Sequence, residues 1–265
     1  MIVRKTLKDS TSLEGVGLHS GVPVIVRINP GENGIRFRFG TSIVAAVPEN
    51  VTDTSRRTKL GDISTVEHLM SAFAGLEITD AEVEVTAPEL PAAGGNASAY
   101  VEAMLVAGLE KIGEREMPEL FSRVFTQDDS IKIAISKGTG RWSYDYVTGD
   151  RWPGHMHFAS DDVVSDYAIE IAPARTFAFT EEVEPARTHG FGLGLDETSA
   201  LILGDAGFEN KASFDDEPAR HKLLDLIGDL YLSGVPLRKL NVNAERSGHQ
   251  SNVKAAALLY KAAHP

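Results

Sequence analysis

The sequence predicts an α+β protein built from two similar domains, each a β-sheet packed with helices. In both halves of the chain, strand-like segments come first and amphipathic helices follow. A polar stretch, Gly113–Leu120, separates the two halves, and the length of 265 residues suits one or two domains. We therefore expect an N-terminal α+β domain at 1–119 and a C-terminal α+β domain at 120–265.

The first half begins with strands, from Ile2 to about Phe39, because VPVIVRINP and GIRFRF alternate apolar and polar residues. A glycine-rich turn, Gly15–Gly21, precedes the first of these runs. Helical spacing predicts a helix over Ser64–Leu76, and TDAEVEVTAPELP then alternates as a strand. A long amphipathic helix is predicted in NASAYVEAMLVAGLEKIG, with Asn96 as its N-cap.

In the second half, SIKIAIS, RWSYDYV and SALILG are predicted strands, and DDVVSDYAIEIAPA is predicted to be helical until Pro173. The clearest helix of the chain is DDEPARHKLLDLIGDLYLSG. Asp215 or Asp216 can cap it, Pro218 fits its first turn and Gly234 can end it. The segment SNVKAAALLYKAAH predicts a final helix.

Composition narrows the classes of function. The chain has no cysteine, which excludes disulfides and thiolate ligands, so a metal must be bound by His, Asp, Glu or water. The net charge of −12 and the lack of a basic stripe disfavour nucleic-acid binding. No apolar run is long enough to cross a membrane, and the N-terminus lacks a secretory signal, so we expect a cytoplasmic protein without an integral membrane segment. We also expect a monomer.

Two short patterns are candidates for a metal centre. His221 and Asp225 are four residues apart on the strongest predicted helix, so both side chains lie on one face and can chelate a divalent cation. On spacing alone, an ordinary helix-stabilising pair is favoured. His68 is a further candidate ligand, and Glu67 a general base, although Ser64 and Glu67 also match a capping box.

Other residues suit acid–base or electrostatic roles. His249 follows a glycine at the predicted start of the last helix, where an exposed imidazole can titrate, and Asp229 could orient it. Thr176 follows the helix that ends at Pro173, and its hydroxyl could stabilise an oxyanion or simply cap the chain.

Three further histidines remain open. His155 and His157 alternate as in a strand and point the same way, so they form a rival metal site, although ordinary polar positions are favoured. His19 lies in the glycine-rich turn and could contact a substrate or hydrogen-bond the backbone. The chain contains no Walker loop, no GxGxxG and no HExxH.

Taken in chain order, these segments resemble the UDP-3-O-acyl-N-acetylglucosamine deacetylases, zinc enzymes of lipid A biosynthesis. The resemblance covers nearly the whole chain and is carried by RKTLKDS, GVGLHSG, STVEHLMSAFAGL, ITDAEVEVTAPELP, ASAYVEA, IAPARTF, ARHKLLDLIGDLYLSG and SGH followed by Asn252. It implies hydrolysis of the acetamide of a small-molecule UDP-amidosugar with release of acetate. It also implies two two-layer α+β sandwiches, with the active site in the cleft between the domains.

The resemblance also implies roles for ten residues. Three are zinc ligands that leave a position for water, His68, His221 and Asp225, and iron(II) can use the same set. Glu67 would deprotonate the water, Thr176 would stabilise the oxyanion, and His249 with Asp229 would supply positive charge or a proton. The substrate contacts would be Lys222, Phe177 and His19.

The sequence departs from the family pattern in three places. The stretch between SIKIAIS and DDVVSDY is short and apparently lacks a strand. Ala93–Gly94–Gly95 replaces Met-Asp-Gly, and TSRRTKLGD lacks a cysteine often found there. These departures favour two alternatives: a related zinc deacetylase of another N-acetyl amidosugar, or of an unacylated sugar nucleotide. A non-catalytic sugar-nucleotide-binding protein is a third alternative.

Overall fold

The structure is a computed structural model that describes residues 1–116, 123–128 and 130–263. The strands are β1 Ile2–Leu7, β2 Thr11–Val16, β3 Pro23–Pro30, β4 Ile35–Phe39, β5 Ser42–Ala45, β6 Val51–Asp53, β7 Lys59–Leu60, β8 Ala81–Val85, β9 Leu109–Arg115, β10 Val124–Asp128, β11 Ile131–Lys137, β12 Trp142–Val147, β13 His155–Ser160, β14 Phe177–Phe179, β15 Leu201–Leu203 and β16 Leu240–Glu245. The α-helices are α1 Glu67–Gly75, α2 Ser98–Ala107, α3 Val163–Asp166, α4 Thr180–Thr188, α5 Glu217–Tyr231 and α6 His249–Ala263. Short 3-10 turns occur at Pro48–Asn50, Ala93–Gly95 and Leu237–Lys239, and a π-helical turn at Tyr167–Ile171.

Two five-stranded sheets have the same topology. The first has the order β2-β3-β8-β4-β5 and the second the order β10-β11-β16-β12-β13. In each sheet the central strand pairs antiparallel on one side and parallel on the other, as β8 does with β3 and β4, and β16 with β11 and β12. The predicted α+β fold with two similar sheet-and-helix units is therefore confirmed. The short stretch after β11 supplies β12 and β13, so the second sheet has as many strands as the first.

The helices cover one face of each sheet, because alternate strand residues are apolar and buried. In β3, for example, Val24, Val26 and Ile28 are buried while the residues between them are not. Helix α2 contacts β2, α5 contacts β12 and β13, and α6 contacts β10 and β11.

Helices α1 and α5 join the two halves of the molecule. They pack so closely that a Cβ added at Gly228 on α5 would lie 2.0 Å from the carbonyl oxygen of Glu67 on α1. Only glycine permits this approach of the two backbones. Among the described residues, no helix is long and apolar enough to cross a membrane.

The segment after α2 differs from the sequence prediction. The predicted amphipathic helix ends at Ala107, because Gly108 adopts a left-handed conformation with φ of +76°. Residues Leu109–Arg115 then form β9, which pairs antiparallel with β1 and so includes part of the expected linker. The predicted boundary at residues 119 and 120 lies outside the described residues.

Two predicted caps lack the expected side-chain bonds. Asp216 holds the predicted N-cap position of α5, but its carboxylate accepts a hydrogen bond from the Arg220 side chain and none from a backbone N–H. The Ser64–Glu67 capping box does not form, because the Ser64 N–H donates to the carbonyl of Pro88. Helix α4 was not predicted, since its sequence TEEVEPART has a proline inside it and no buried residue.

Candidate active site

A cavity of about 230 Å³ lies at the contact of α1 with α5, next to the first residue of α6. Nine of the ten predicted site residues line it: His19, Glu67, His68, Thr176, Phe177, His221, Lys222, Asp225 and His249. The tenth, Asp229, is buried behind His249. The fold therefore brings together residues that are far apart in the sequence.

Two histidines and one carboxylate form a buried cluster. The Nε2 atom of His68 lies 3.6 Å from Asp225 Oδ1, and the Nε2 atom of His221 lies 3.5 Å from the same oxygen. The two imidazole rings are nearly perpendicular, with centroids 5.2 Å apart. One ligand atom from each residue lies within 4.8 Å of the others. Tetrahedral zinc with bonds near 2.0–2.2 Å separates its ligand atoms by about 3.3–3.6 Å, so both His–Asp distances fit such an ion.

The tautomer of His221 can be inferred from its surroundings. Its Nδ1 atom lies 3.0 Å from the carbonyl oxygen of Ala174, which can only accept a hydrogen bond. Nδ1 therefore carries the proton and Nε2 presents its lone pair towards Asp225. Burial lowers the pKa of His221 to about 4, so the imidazole is neutral at pH 7 and suited to bind a metal.

The two carboxylate oxygens of Asp225 have different neighbours. Oδ2 accepts a hydrogen bond from Lys222 Nζ at 3.0 Å and lies 4.0 Å from His249 Nε2. Oδ1 is buried and has no hydrogen-bond partner among the described residues. Burial opposes ionisation, but His221, Lys222 and His249 hold the pKa of Asp225 well below its ordinary value. A buried carboxylate oxygen without a donor, facing two imidazole nitrogens, fits a metal ligand.

Glu67 is positioned by a hydrogen bond from the segment of Thr58 and not by the predicted capping box with Ser64. Its Oε2 atom accepts a hydrogen bond from the backbone N–H of Thr58 at 3.0 Å. The side chain is buried, and burial raises the pKa of Glu67 above its ordinary value. A carboxylate with a raised pKa is a better proton acceptor at neutral pH, as a general base requires.

His249 is held by the buried carboxylate of Asp229. Its Nδ1–H donates to Asp229 Oδ2 at 3.1 Å, leaving Nε2 directed towards Asp225. Burial acts against a charged imidazole, but the carboxylates of Asp229 and Asp225 raise the pKa of His249 to about 9. His249 is therefore a cation at neutral pH, able to stabilise negative charge or donate a proton.

Two residues of this network were not assigned roles from the sequence. The Thr58 hydroxyl donates to Asp229 Oδ1 at 2.5 Å, and Asn252 Nδ2 donates to Asp229 Oδ2 at 3.0 Å. Asn252 lies three residues after His249, so helical spacing could have placed it beside that side chain. Thr58 lies in the loop between β6 and β7, and no sequence pattern connects it with Glu67 and Asp229.

The segment that carries Thr176 and Phe177 is anchored to the start of α5. Arg175 donates three hydrogen bonds to the fully buried Glu217, from its backbone N–H, Nε and Nη2 at 3.0, 2.8 and 3.1 Å. The Thr176 N–H donates to Gly95 in the segment that departs from the family pattern, at 2.7 Å. The Phe177 ring packs edge-on against His221 at 6.0 Å between centroids.

His19 extends into the cavity from the glycine-rich turn. The backbone N–H groups of His19 and Ser20 donate to the buried Glu89 carboxylate at 2.8 and 2.9 Å, which fixes the turn. The His19 ring packs edge-on against Phe191 at 5.2 Å, and burial lowers its pKa to about 4. His19 is therefore a neutral polar group beside an aromatic wall.

The rival pair lies away from this cavity. His155 and His157 are exposed on β13. Asp145 Oδ1 lies 2.7 Å from Nε2 of His155 and 2.9 Å from Nδ1 of His157. The pair does not join either of the His, Asp and Glu groups with metal-ligand geometry found in the described part of the chain. The prediction of a rival metal site at these residues is therefore not supported.

A second, larger cavity of about 430 Å³ adjoins the first and has a mostly apolar lining. It lies between α4 and β15, and Val183, Ala200 and Ile202 contribute to its wall. Five residues border both cavities: Ala178, Ala186, Phe191, Gly192 and Leu195. The two spaces are therefore neighbours that share one wall.

Comparison with known proteins identifies the family. The sequence profile of the family described as LpxC, UDP-3-O-acyl N-acetylglycosamine deacetylase, matches residues 4–261. The chain belongs to this deacetylase family. Proteins named UDP-3-O-acyl-N-acetylglucosamine deacetylase from Citrifermentans bemidjiense, Methylococcus capsulatus and Pseudomonas entomophila are 32%, 35% and 36% identical to it. The alignments cover 98%, 99% and 95% of this chain and 90%, 91% and 88% of those proteins.

The match to the deacetylase family includes both halves of the chain and every residue of the buried cluster. Membership in a family of hydrolytic deacetylases disfavours the non-catalytic alternative. The His–His–Asp cluster is also what a metal-dependent member of this family requires.

Proposed function

We propose that this protein is a metal-dependent N-deacetylase that hydrolyses the acetamide of a UDP-3-O-acyl-N-acetylglucosamine, releasing acetate, in lipid A biosynthesis. The observation that carries the proposal is the buried cluster of His68, His221 and Asp225 beside the carboxylate of Glu67. The curated relatives, which carry this activity in their names, support the choice of substrate.

His68, His221 and Asp225 would hold the ion, with Lys222 bonded to the second oxygen of Asp225. A zinc ion, or iron(II), bound there would activate water and polarise the acetyl carbonyl. Glu67 takes the proton of the attacking water, since its carboxylate lines the same cavity and its pKa is raised by burial.

The remaining residues stabilise charge that develops during the reaction and hold the substrate in position. The Thr176 hydroxyl is available to donate to the oxyanion that forms when the carbonyl is attacked. His249, kept cationic by Asp229, stabilises that charge and can give its proton to the leaving amine. Phe177, Lys222 and His19 are placed to contact the sugar and its substituents.

The apolar cavity beside the cluster favours an acylated substrate over an unacylated one. A 3-O-acyl chain is apolar and adjacent to the acetamide on the sugar ring, so it can occupy that cavity while the acetamide reaches the cluster. We also propose that the chain divides near residue 120 and that the cleft between its halves is the substrate site.

The proposal is tested with one preparation each of wild type, Asp225→Ala and Glu67→Gln. Asp225→Ala should lose the metal during dialysis, because one of three ligands is removed. Glu67→Gln should keep the metal and lose turnover by about 100-fold or more, because only the proton acceptor is removed. Unchanged turnover in Glu67→Gln would refute the general base, and faster turnover of unacylated UDP-N-acetylglucosamine would refute the acylated substrate.

A further inference from the structure

An arginine lines the cavity of the buried cluster, next to an aromatic ring that borders both cavities. Arg56 belongs to the loop between β6 and β7 and lines the cavity that holds the buried cluster. Its guanidinium carbon is 5.6 Å from the centroid of the Phe191 ring. Phe191 borders both cavities, so the cation lies in the first cavity beside a ring of the shared wall.

The guanidinium of Arg56 has free donors. Within the described residues it has no carboxylate within 4.0 Å and no side-chain hydrogen bond. Its neighbour Arg57 is also 5.8 Å from the Phe191 centroid, but Arg57 is paired with Asp53 at 3.2 Å and donates to the Ser55 carbonyl at 2.9 Å. Two arginines therefore face one ring, and of the two only Arg56 has a guanidinium without a partner among the described residues.

The backbone at Arg56 is a second, independent observation. Its φ is +61°, in the left-handed region that glycine or asparagine adopts more readily than arginine. Residues held in such a conformation cluster at functional sites, and Arg56 lines a candidate one.

Substrate geometry then assigns a partner to this side chain. In a 3-O-acylated N-acetylglucosamine, the acetamide and the ester are on adjacent ring carbons. When the acetamide is at the His–His–Asp cluster and the acyl chain is in the apolar cavity, the ester must lie at the wall shared by the two. The residues of that wall have apolar side chains or none, namely Ala178, Ala186, Phe191, Gly192 and Leu195, so they offer the ester no side-chain donor.

We propose that Arg56 is a specificity-determining residue that donates hydrogen bonds to the ester carbonyl of the 3-O-acyl group. The inference rests on the proposed deacetylase function and extends it to how an acylated substrate is distinguished from an unacylated one. The inference gives Arg56 no part in the chemical step, which is assigned to the metal ligands, Glu67 and His249.

The test measures kcat/KM on three substrates: the 3-O-acyl ester, a 3-O-alkyl ether of equal chain length, and unacylated UDP-N-acetylglucosamine. The ether keeps the apolar chain and lacks only the carbonyl oxygen. Arg56→Met should lower kcat/KM on the ester by about 10-fold or more, mainly through KM, because a charge-assisted hydrogen bond is lost. Its effect on the ether and on the unacylated sugar should stay within about twofold.

Arg57→Met is the matched control, since it removes a cation at almost the same distance from Phe191 and should change no substrate by more than about twofold. Equal losses on all three substrates for Arg56→Met would overturn the inference in favour of contact with the diphosphate, and no loss on the ester would overturn it outright. If metal-loaded wild type cleaves none of the three, the proposed function fails and the inference with it.

Discussion

Replacing Gly228 with alanine tests whether the contact of α1 with α5 sets the geometry of the site. The new Cβ would lie 2.0 Å from the Glu67 carbonyl oxygen, and such contacts essentially never fall under 3.0 Å. The two helix backbones must therefore move apart by about 1 Å. His68 moves with α1, while His221 and Asp225 move with α5, so their mutual distances change.

Gly228→Ala should affect activity much more than it affects the free energy of unfolding. Overpacking a core costs about 1–3 kcal/mol, and alanine offsets about 1 kcal/mol of this through its higher helix propensity. We therefore expect Gly228→Ala to fold, with a melting temperature lower by less than about 10 °C. Metal–ligand distances tolerate only about 0.2 Å, and a 1 Å misplacement reduces rates by about 100-fold. Metal affinity and turnover should therefore fall much more than stability.

The assays are thermal melting, metal content after dialysis against a chelator, and deacetylation of the acylated UDP-sugar. Gly207→Ala is the control, because a Cβ there meets nothing within 4 Å. If Gly228→Ala retained stoichiometric metal and turnover within threefold of wild type, the argument that this helix contact sets the site would be refuted.

Two further predictions concern buried carboxylates. Thr58→Val removes the hydroxyl donor to Asp229 but keeps the N–H donor to Glu67, so kcat should fall about 10-fold with KM and metal content unchanged. Thr58→Ser, which keeps a hydroxyl, should restore kcat. A wild-type kcat in the valine variant would contradict this prediction. Burial opposes ionisation of Asp80, but Arg4 and other donors hold its pKa below the ordinary value, so its stabilisation is present above about pH 4 and is lost as the pH falls through the lowered pKa. Asp80→Asn should therefore destabilise the protein by about 1–3 kcal/mol at pH 7. The melting temperature of the variant should also fall less steeply than that of wild type as the pH is lowered. Parallel plots of melting temperature against pH for the two proteins would disprove the assignment.

Sequence spacing predicted part of the site because helices have a fixed period. His221 and Asp225 are four residues apart, and the structure places both on the buried face of α5. Spacing within one helix cannot show which distant residue faces it. Local sequence made His68 only one candidate ligand, and its place beside His221 and Asp225 was implied by the family resemblance. The capping box at Ser64 and Glu67 was wrong because tertiary contacts with Thr58 and Pro88 replaced the local bonds.

The remaining errors have similar causes. The segment Leu109–Arg115 has no strong strand pattern, and it becomes a strand because β1 supplies a partner after the turn at Gly108. Thr58 gains its importance only when the loop that carries it meets α1, α5 and α6. Such contacts depend on the folded arrangement and leave no periodic signal in the chain.

The cluster is divided between α1 and α5, so the stability of the folded chain should depend on the concentration of free metal ion. Any ion that binds His68 together with His221 and Asp225 acts as a cross-link between the two halves. Free ion at about 1,000 times its dissociation constant would stabilise the native state by about 4.1 kcal/mol. Under metal starvation the protein would therefore lose activity and, through more frequent opening, become easier for proteases to degrade.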